Sequence, residues 1–182
     1  MAFTYSKTFD FTDENPVGVT MTTLPVGAEW SADGPNAPEA AVENSDLVYQ
    51  FSAGLNQNLT MYFKVPQGYT FGHQLLLYIS YYTASTSGTV LFQATTTLVR
   101  QNVDPLSSPA NSRASTNTAI TNSVAVGNAA RMCTIDLTSS TGTINATTIL
   151  PGDLLLINLS RGTDTDSATV RMIPNSTEIS FE

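Results

Sequence analysis

Apolar and polar residues alternate with period two over short stretches of this chain, and clusters of Gly, Pro, Asn, Ser and Thr cut those stretches apart. In Leu59–Val65, the side chains of Leu59, Met61, Phe63 and Val65 fall on one side and Thr60, Tyr62 and Lys64 on the other, as in a half-buried strand. His73–Tyr82 and Asp153–Arg161 are denser in apolar residues. Neither repeats at helical spacing and both are bounded by turn residues, so both are predicted strands.

The same reading divides the rest of the chain. Residues 1–15 alternate aromatic and polar positions and break at Asn15-Pro16, which predicts an extended arm whose Phe3, Tyr5, Phe9 and Phe11 need a surface to lie on. Val17–Leu24 reads as a strand ended by Pro25, and Val26–Asn44 as an ordered loop around Trp30. Asp46–Phe51 and Leu59–Val65 read as the next strand pair, and Ala84–Gly88 as a hairpin loop joining strand 73–83 to Thr89–Arg100. A Ser/Thr/Asn/Ala-rich stretch then places a long loop at about 101–127, with a short helix near Asn117–Thr121 as an option. Ala129–Leu137, Ile149–Arg161, Ala168–Pro174 and Thr177–Phe181 complete the strands.

Roughly eight to ten strands with uneven connections fit an all-β, antiparallel two-sheet sandwich of jelly-roll type better than an up-and-down barrel. No helix–strand alternation suggests a parallel sheet, and no fixed period suggests a solenoid. The expected organisation is an N-terminal arm, 1–15, followed by a single sandwich domain, 16–182.

Composition narrows the function classes. The chain has 182 residues and a formal net charge of −8, from seven Lys plus Arg against fifteen Asp plus Glu. The arginines, Arg100, Arg113, Arg131, Arg161 and Arg171, form no basic stripe, so a nucleic-acid partner is not expected. Acids crowd the first fifty residues and read as a solvated negative face. Charged residues make up only 12% of the chain, about half the usual share, which suggests that partners cover part of the surface. Cys133 is alone, no secretory signal is recognisable at the start, and no stretch is apolar enough to span a bilayer as a helix. Assembly in a reducing cytoplasm, with no membrane partner, is the expectation.

Candidate chemistry is sparse. His73 is the sole histidine, and Cys133 sits in an apolar strand where a buried, inert thiol is the ordinary case. No Gly-x-Ser-x-Gly occurs, so nucleophilic catalysis is not expected; a carboxylate pair for sugar cleavage would need a separation that sequence does not set. Asp164 and Asp166, in Arg161-Gly-Thr-Asp-Thr-Asp-Ser, have hard-cation ligand chemistry without the downstream Glu of a calcium loop. The competing reading is a turn in which these aspartates bond backbone amides or pair with Arg161 or Arg171. Trp30, Tyr69, Tyr78, Tyr81 and Tyr82 could stack on sugars, Trp30 and Tyr69 being the preferred contacts. Adjacent Tyr81 and Tyr82 face opposite sides of a strand. No cofactor and no enzyme activity are expected.

Phe63-Lys-Val-Pro66-Gln-Gly-Tyr69, strand 73–82, Gly88-Thr-Val-Leu-Phe92, Pro151-Gly-Asp153-Leu-Leu-Leu-Ile157, Ser160-Arg161, Asp164-Thr-Asp166 and Ile179-Ser-Phe181 form a pattern of strands and turns over about residues 45–181. In that pattern the chain resembles the jelly-roll capsid decoration (cement) proteins of tailed bacteriophages, and assembly in the host cytoplasm is part of what the resemblance implies. The resemblance implies a homotrimer on the outer face of an icosahedral head, partnered by the major capsid protein and holding it with the arm. It carries no catalytic residues. The alternative is a carbohydrate-binding receptor-recognition or fibre-head module of a phage.

Overall fold

Period-two burial runs through the strands at 58–64, 75–83, 89–99, 131–136 and 154–161 of the computed structural model, which describes residues 24–25, 36–100, 103–104, 114–122, 126–138 and 141–181. In chain order the strands are β1 Leu24–Pro25, β2 Glu39–Glu43, β3 Asp46–Phe51, β4 Asn58–Lys64, β5 Leu75–Thr83, β6 Thr89–Val99 and β7 Ala114–Asn122. They continue with β8 Arg131–Asp136, β9 Thr143–Ile144, β10 Thr147–Thr148, β11 Leu154–Arg161, β12 Val170–Met172 and β13 Glu178–Phe181. A 3-10 turn, Pro174–Ser176, separates β12 from β13.

All pairings are antiparallel and build two facing sheets. One has β5 at its centre, with β8 on one side and β12 and β13 sharing the other; β12 continues to β3 and β2, and β13 to β1. The second sheet runs β4-β11-β6-β7, and β9 and β10 form a separate small hairpin. Taking β12 and β13 together as one interrupted strand, the chain folds back on itself. β3 meets β12, β4 meets β11, β5 meets β8 and β6 meets β7. That nesting of first with last and inner with inner is the jelly roll. The expected fold class therefore stands; the arm, residues 1–15, lies outside the described residues.

Several local expectations change. β3 and β4 lie in different sheets and do not pair, and Ser85–Gly88 carries the chain from one sheet to the other instead of closing a hairpin. A short polar loop serves either purpose; which strand it delivers to is settled by partners far along the chain. The stretch expected as a long loop at about 101–127 contains β7, and the optional helix at 117–121 is part of that strand. Ala114–Asn122 has little apolar alternation, and it is strand because β6 offers it an edge over nine consecutive register pairs. Within the stretch read as a loop to Asn44, β2 pairs with β3 through a two-residue turn, Asn44-Ser45, both with positive φ (52° and 72°). Asn tolerates that conformation, which suits the twist of a tight hairpin.

The core between the sheets is aliphatic around an aromatic trio. Phe92 from one sheet meets Phe51 (centroids 5.8 Å, 88°) and Tyr81 (5.4 Å, 68°) from the other, both edge-to-face. Gly88 takes φ +92°, and a Cβ there would lie 2.9 Å from the Thr165 carbonyl oxygen, so the entry to β6 needs glycine. Phe92→Ala is expected to lower unfolding stability by about 3–5 kcal/mol, read as a reduced urea midpoint with the far-ultraviolet β signature kept.

Candidate functional site

The Arg161-Gly-Thr-Asp-Thr-Asp segment closes one end of the sandwich. Arg161 ends β11 on its inward-facing side and is 2% exposed. Its Nε and Nη2 donate to the two carboxylate oxygens of Asp164 at 2.8 and 2.7 Å. Nη1 donates to the carbonyls of Phe51 (3.1 Å) and Ala168 (2.7 Å), and Nη2 also to that of Asp166. All five guanidinium N–H groups are thus used. Asp164 further accepts from the Leu91 amide, and Asp166 accepts from the Thr83 hydroxyl and the Ala168 amide. The position a cation would take is filled by a guanidinium. Asp164 and Asp166 thus follow the turn reading as partners of Arg161, and no cluster of three metal-ligating side chains occurs among the described residues.

Other expected site residues disperse. Tyr69 is 6% exposed, and its hydroxyl donates to the His73 carbonyl at 2.8 Å, so it is corrected from a sugar contact to a core residue. The turn after Pro66, closed by the Tyr69 amide on the Pro66 carbonyl at 3.1 Å, delivers it to the hydrophobic core. Phe3, Tyr5, Phe9, Phe11 and Trp30 lie outside the described residues. His73 is exposed before β5, whereas buried Cys133 pairs with Ile79, about 20 Å further along that strand at 3.3 Å per residue. They cannot act as a pair. Tyr81 is buried and Tyr82 faces outward, as alternation requires.

Tyr82 is the centre of the most developed polar constellation on the outer surface. It is the cross-strand neighbour of Arg171, which in turn opposes Gln50. Glu43, at the end of β2, reaches over all three. Its carboxylate accepts from the Tyr82 hydroxyl at 2.6 Å, from Arg171 Nε at 2.7 Å and from Gln50 Nε2 at 2.9 Å. The Tyr82 hydroxyl foremost, and then Arg171, hold Glu43 below the usual carboxylate range. Partial burial, then the bond to Glu43, pushes the Tyr82 phenol up to about 12. The Arg171 guanidinium carbon is 5.7 Å from the Tyr82 ring centroid. Glu43, Tyr82 and Arg171 line a groove of about 530 Å³, flanked by Asn44 and Asp46 of the β2–β3 turn and by Asn128 before β8. Sequence reading placed Glu43 among solvated acids and considered Arg171 as a partner for Asp164 or Asp166. The Asn-Ser turn between Val42 and Leu47 was the available signal for the hairpin that aims Glu43.

The two outer faces of the sandwich differ in charge. Glu39, Glu43, Asp46, Asp136, Arg171 and Glu178 all belong to the sheet centred on β5. On the other sheet, outward positions form neutral rows: Tyr62–Leu156–Thr97, then Thr60–Asn158–Thr95–Thr116, then Asn58–Ser160–Gln93. Asn158 donates to the Thr60 hydroxyl (3.3 Å), and the Thr95 and Thr116 hydroxyls are 2.9 Å apart. Lys64, at an edge, is the charged residue among the described side chains of that face.

No known protein family and no curated protein matches this chain. Among solved structures, one described as "CBM4 structure and function" aligns over 86% of this chain and 79% of its own, with 13% identity and a TM-score of 0.36. A second, TmCBM61 in complex with beta-1,4-galactotriose, aligns over 87% and 85%, with 7% identity and a TM-score of 0.36. At that similarity the matches carry no functional information.

Arg161→Met leaves the Asp164 carboxylate buried without its partner and is expected to cost about 3–5 kcal/mol in urea unfolding, while millimolar calcium leaves the wild-type melting temperature unchanged. Glu43 has a depressed folded-state pKa, so its contribution is complete above about pH 4.3, the ordinary Glu value, and is lost as pH falls through the lower folded value. Glu43→Gln should therefore lower the neutral-pH melting temperature and flatten its decline in acid, as followed by a pH series of thermal melts.

Proposed function

We propose that this chain is a virion structural protein, a decoration protein that binds the outer surface of an icosahedral phage head and stabilises it as part of a homo-oligomer. The observation that carries this reading is the neutral outer face of the β4-β11-β6-β7 sheet. A chain of net charge −8 repels its own copies and any acidic shell wherever carboxylates would be buried. Flat rows of Thr, Asn, Ser and Gln with Tyr62 and Leu156 can be covered without stranding a charge, and depletion of charge marks the centres of protein interfaces. The aromatic arm, with Phe3, Tyr5, Phe9 and Phe11, supplies a second attachment in this reading. The jelly-roll topology and the resemblance to phage cement proteins support the same conclusion.

A second reading, glycan recognition by a fibre-head or receptor-binding module, is favoured by one observation, the groove that holds Tyr82 and Arg171.

Purified protein is expected to sediment as a homo-oligomer and to co-sediment with undecorated heads, raising their resistance to heat. Asn158→Lys, on the neutral face, should weaken that binding by about a hundredfold, because an unpaired buried charge costs about 3 kcal/mol. Deleting residues 1–15 should abolish it with the fold intact. A monomer that ignores undecorated heads would end the decoration reading.

A further inference from the structure

The groove on the outer face of the β5-centred sheet has a donor and acceptor inventory that selects among ligand chemistries. Glu43 is largely committed, since Oε1 accepts from Arg171 and Gln50 and Oε2 accepts from Tyr82, which leaves one acceptor site on Oε2. It acts as a positioning residue that fixes the phenol and the guanidinium. Among the described residues, Arg171 uses Nε on Glu43 and Nη1 on the Thr169 carbonyl, which leaves Nη2 and its two N–H groups uncommitted at the groove. The side chains of Asn44, Asp46 and Asn128 make no hydrogen bond to described protein atoms, and all three are exposed. The backbone holds them in place. Asn44 sits in the β2–β3 turn at φ 52°, and Asn128 has φ 58° with its amide bonded to the Thr83 carbonyl at 2.7 Å. Val48, Ile173 and the Tyr82 ring add apolar lining.

This combination discriminates by charge. A phosphate or carboxylate needs donors alone; it would find Nη2 but also the free Asp46 carboxylate beside an already neutralised Arg171. An ammonium needs acceptors alone and would meet the guanidinium. Hydroxyls donate and accept at once, and adjacent hydroxyls match the planar amides and the guanidinium edge, while ring C–H groups suit an aromatic and aliphatic floor. The volume, about 530 Å³, lies within the range of small-ligand sites.

We infer that this groove is a subsite for an uncharged, polyhydroxylated sugar ring, with Arg171, Asn44, Asn128 and Asp46 bonding its hydroxyls and Tyr82 packing against its C–H face. The inference rests on the second reading above, glycan recognition, and names the ligand class and residues of that site.

The test uses the full chain, titrated calorimetrically with a panel of neutral di- and trisaccharides of the gluco, galacto, manno and N-acetyl series, and with 3′-sialyllactose as the anionic arm. Neutral saccharide binding is expected, weakened at least tenfold by Arg171→Gln and by Asn128→Ala. Asn128 lies in a loop, so its variant keeps the fold if the sheet mutation does not, and thermal melts verify both. Tyr82→Phe keeps the ring and should lose less than Tyr82→Ala. Gln93→Ala, on the opposite face, should change nothing. Neutral binding unaffected by the groove variants would overturn the site. Binding of sialyllactose alone would overturn the ligand class and leave glycan recognition standing. No binding by any saccharide would overturn both.

Discussion

One buried guanidinium fastens the two sheets at the end where β3, β5, β6 and β11 come together. Arg161 belongs to the β4-β11-β6-β7 sheet, yet it reaches the Phe51 carbonyl of the other. Through Asp166 the same cluster reaches Thr83 at the end of β5, and through Asp164 it reaches Leu91 on β6. Burying a full charge is tolerable here because every N–H has an acceptor and a carboxylate lies in bidentate contact. Dispersion and apolar burial between the sheets are non-directional and permit sliding; a forked ion pair with fixed geometry does not. The turn after β11, the crossing from β5 to β6 and the return into β12 are all held by this cluster.

The opposite end has a milder counterpart. Arg100 at the end of β6 pairs with Asp153 just before β11 and donates to the Thr148 carbonyl, while Asp153 accepts from the Leu150 amide. Together the two arginine–aspartate clusters close the ends of the sandwich and leave its two outer faces as the surfaces available for partners. One of those faces is charged and grooved, the other neutral and flat. A protein that must sit on a shell and also present something outward needs two unlike faces, and the proposed head-binding role and the proposed sugar subsite use opposite sides of the molecule.

Much of the fold was legible because strands buried on one face must alternate. Leu59, Met61, Phe63 and Val65 could be assigned inward from spacing alone, as could the opposite orientations of Tyr81 and Tyr82. β7 was not legible, since Ala114–Asn122 has no apolar alternation: Ile120 is its one large apolar residue, and its Ser, Thr and Asn read equally well as loop. β2, with Glu-Ala-Ala-Val-Glu, has the composition of a helix or loop and is strand only beside β3. For the site, the pairing of Asp164 with Arg161 was one of two readings open from local sequence. The Glu43–Tyr82–Arg171 network was invisible, because its members are 39 and 128 residues apart from Glu43 along the chain.

The residues by themselves determined the class of this protein: short alternating strands, turns of Gly, Pro and Asn, and an acidic and weakly charged composition. Those properties follow from nearest-neighbour geometry and from sums over side chains, which need no knowledge of the fold. Which strands pair, which arginine meets which carboxylate, and which outer face holds few charges were decided only by the nested long-range pairing of the jelly roll. Hydrogen bonds and ion pairs act over a few ångströms, so their partners exist only once the chain has brought distant segments to that distance.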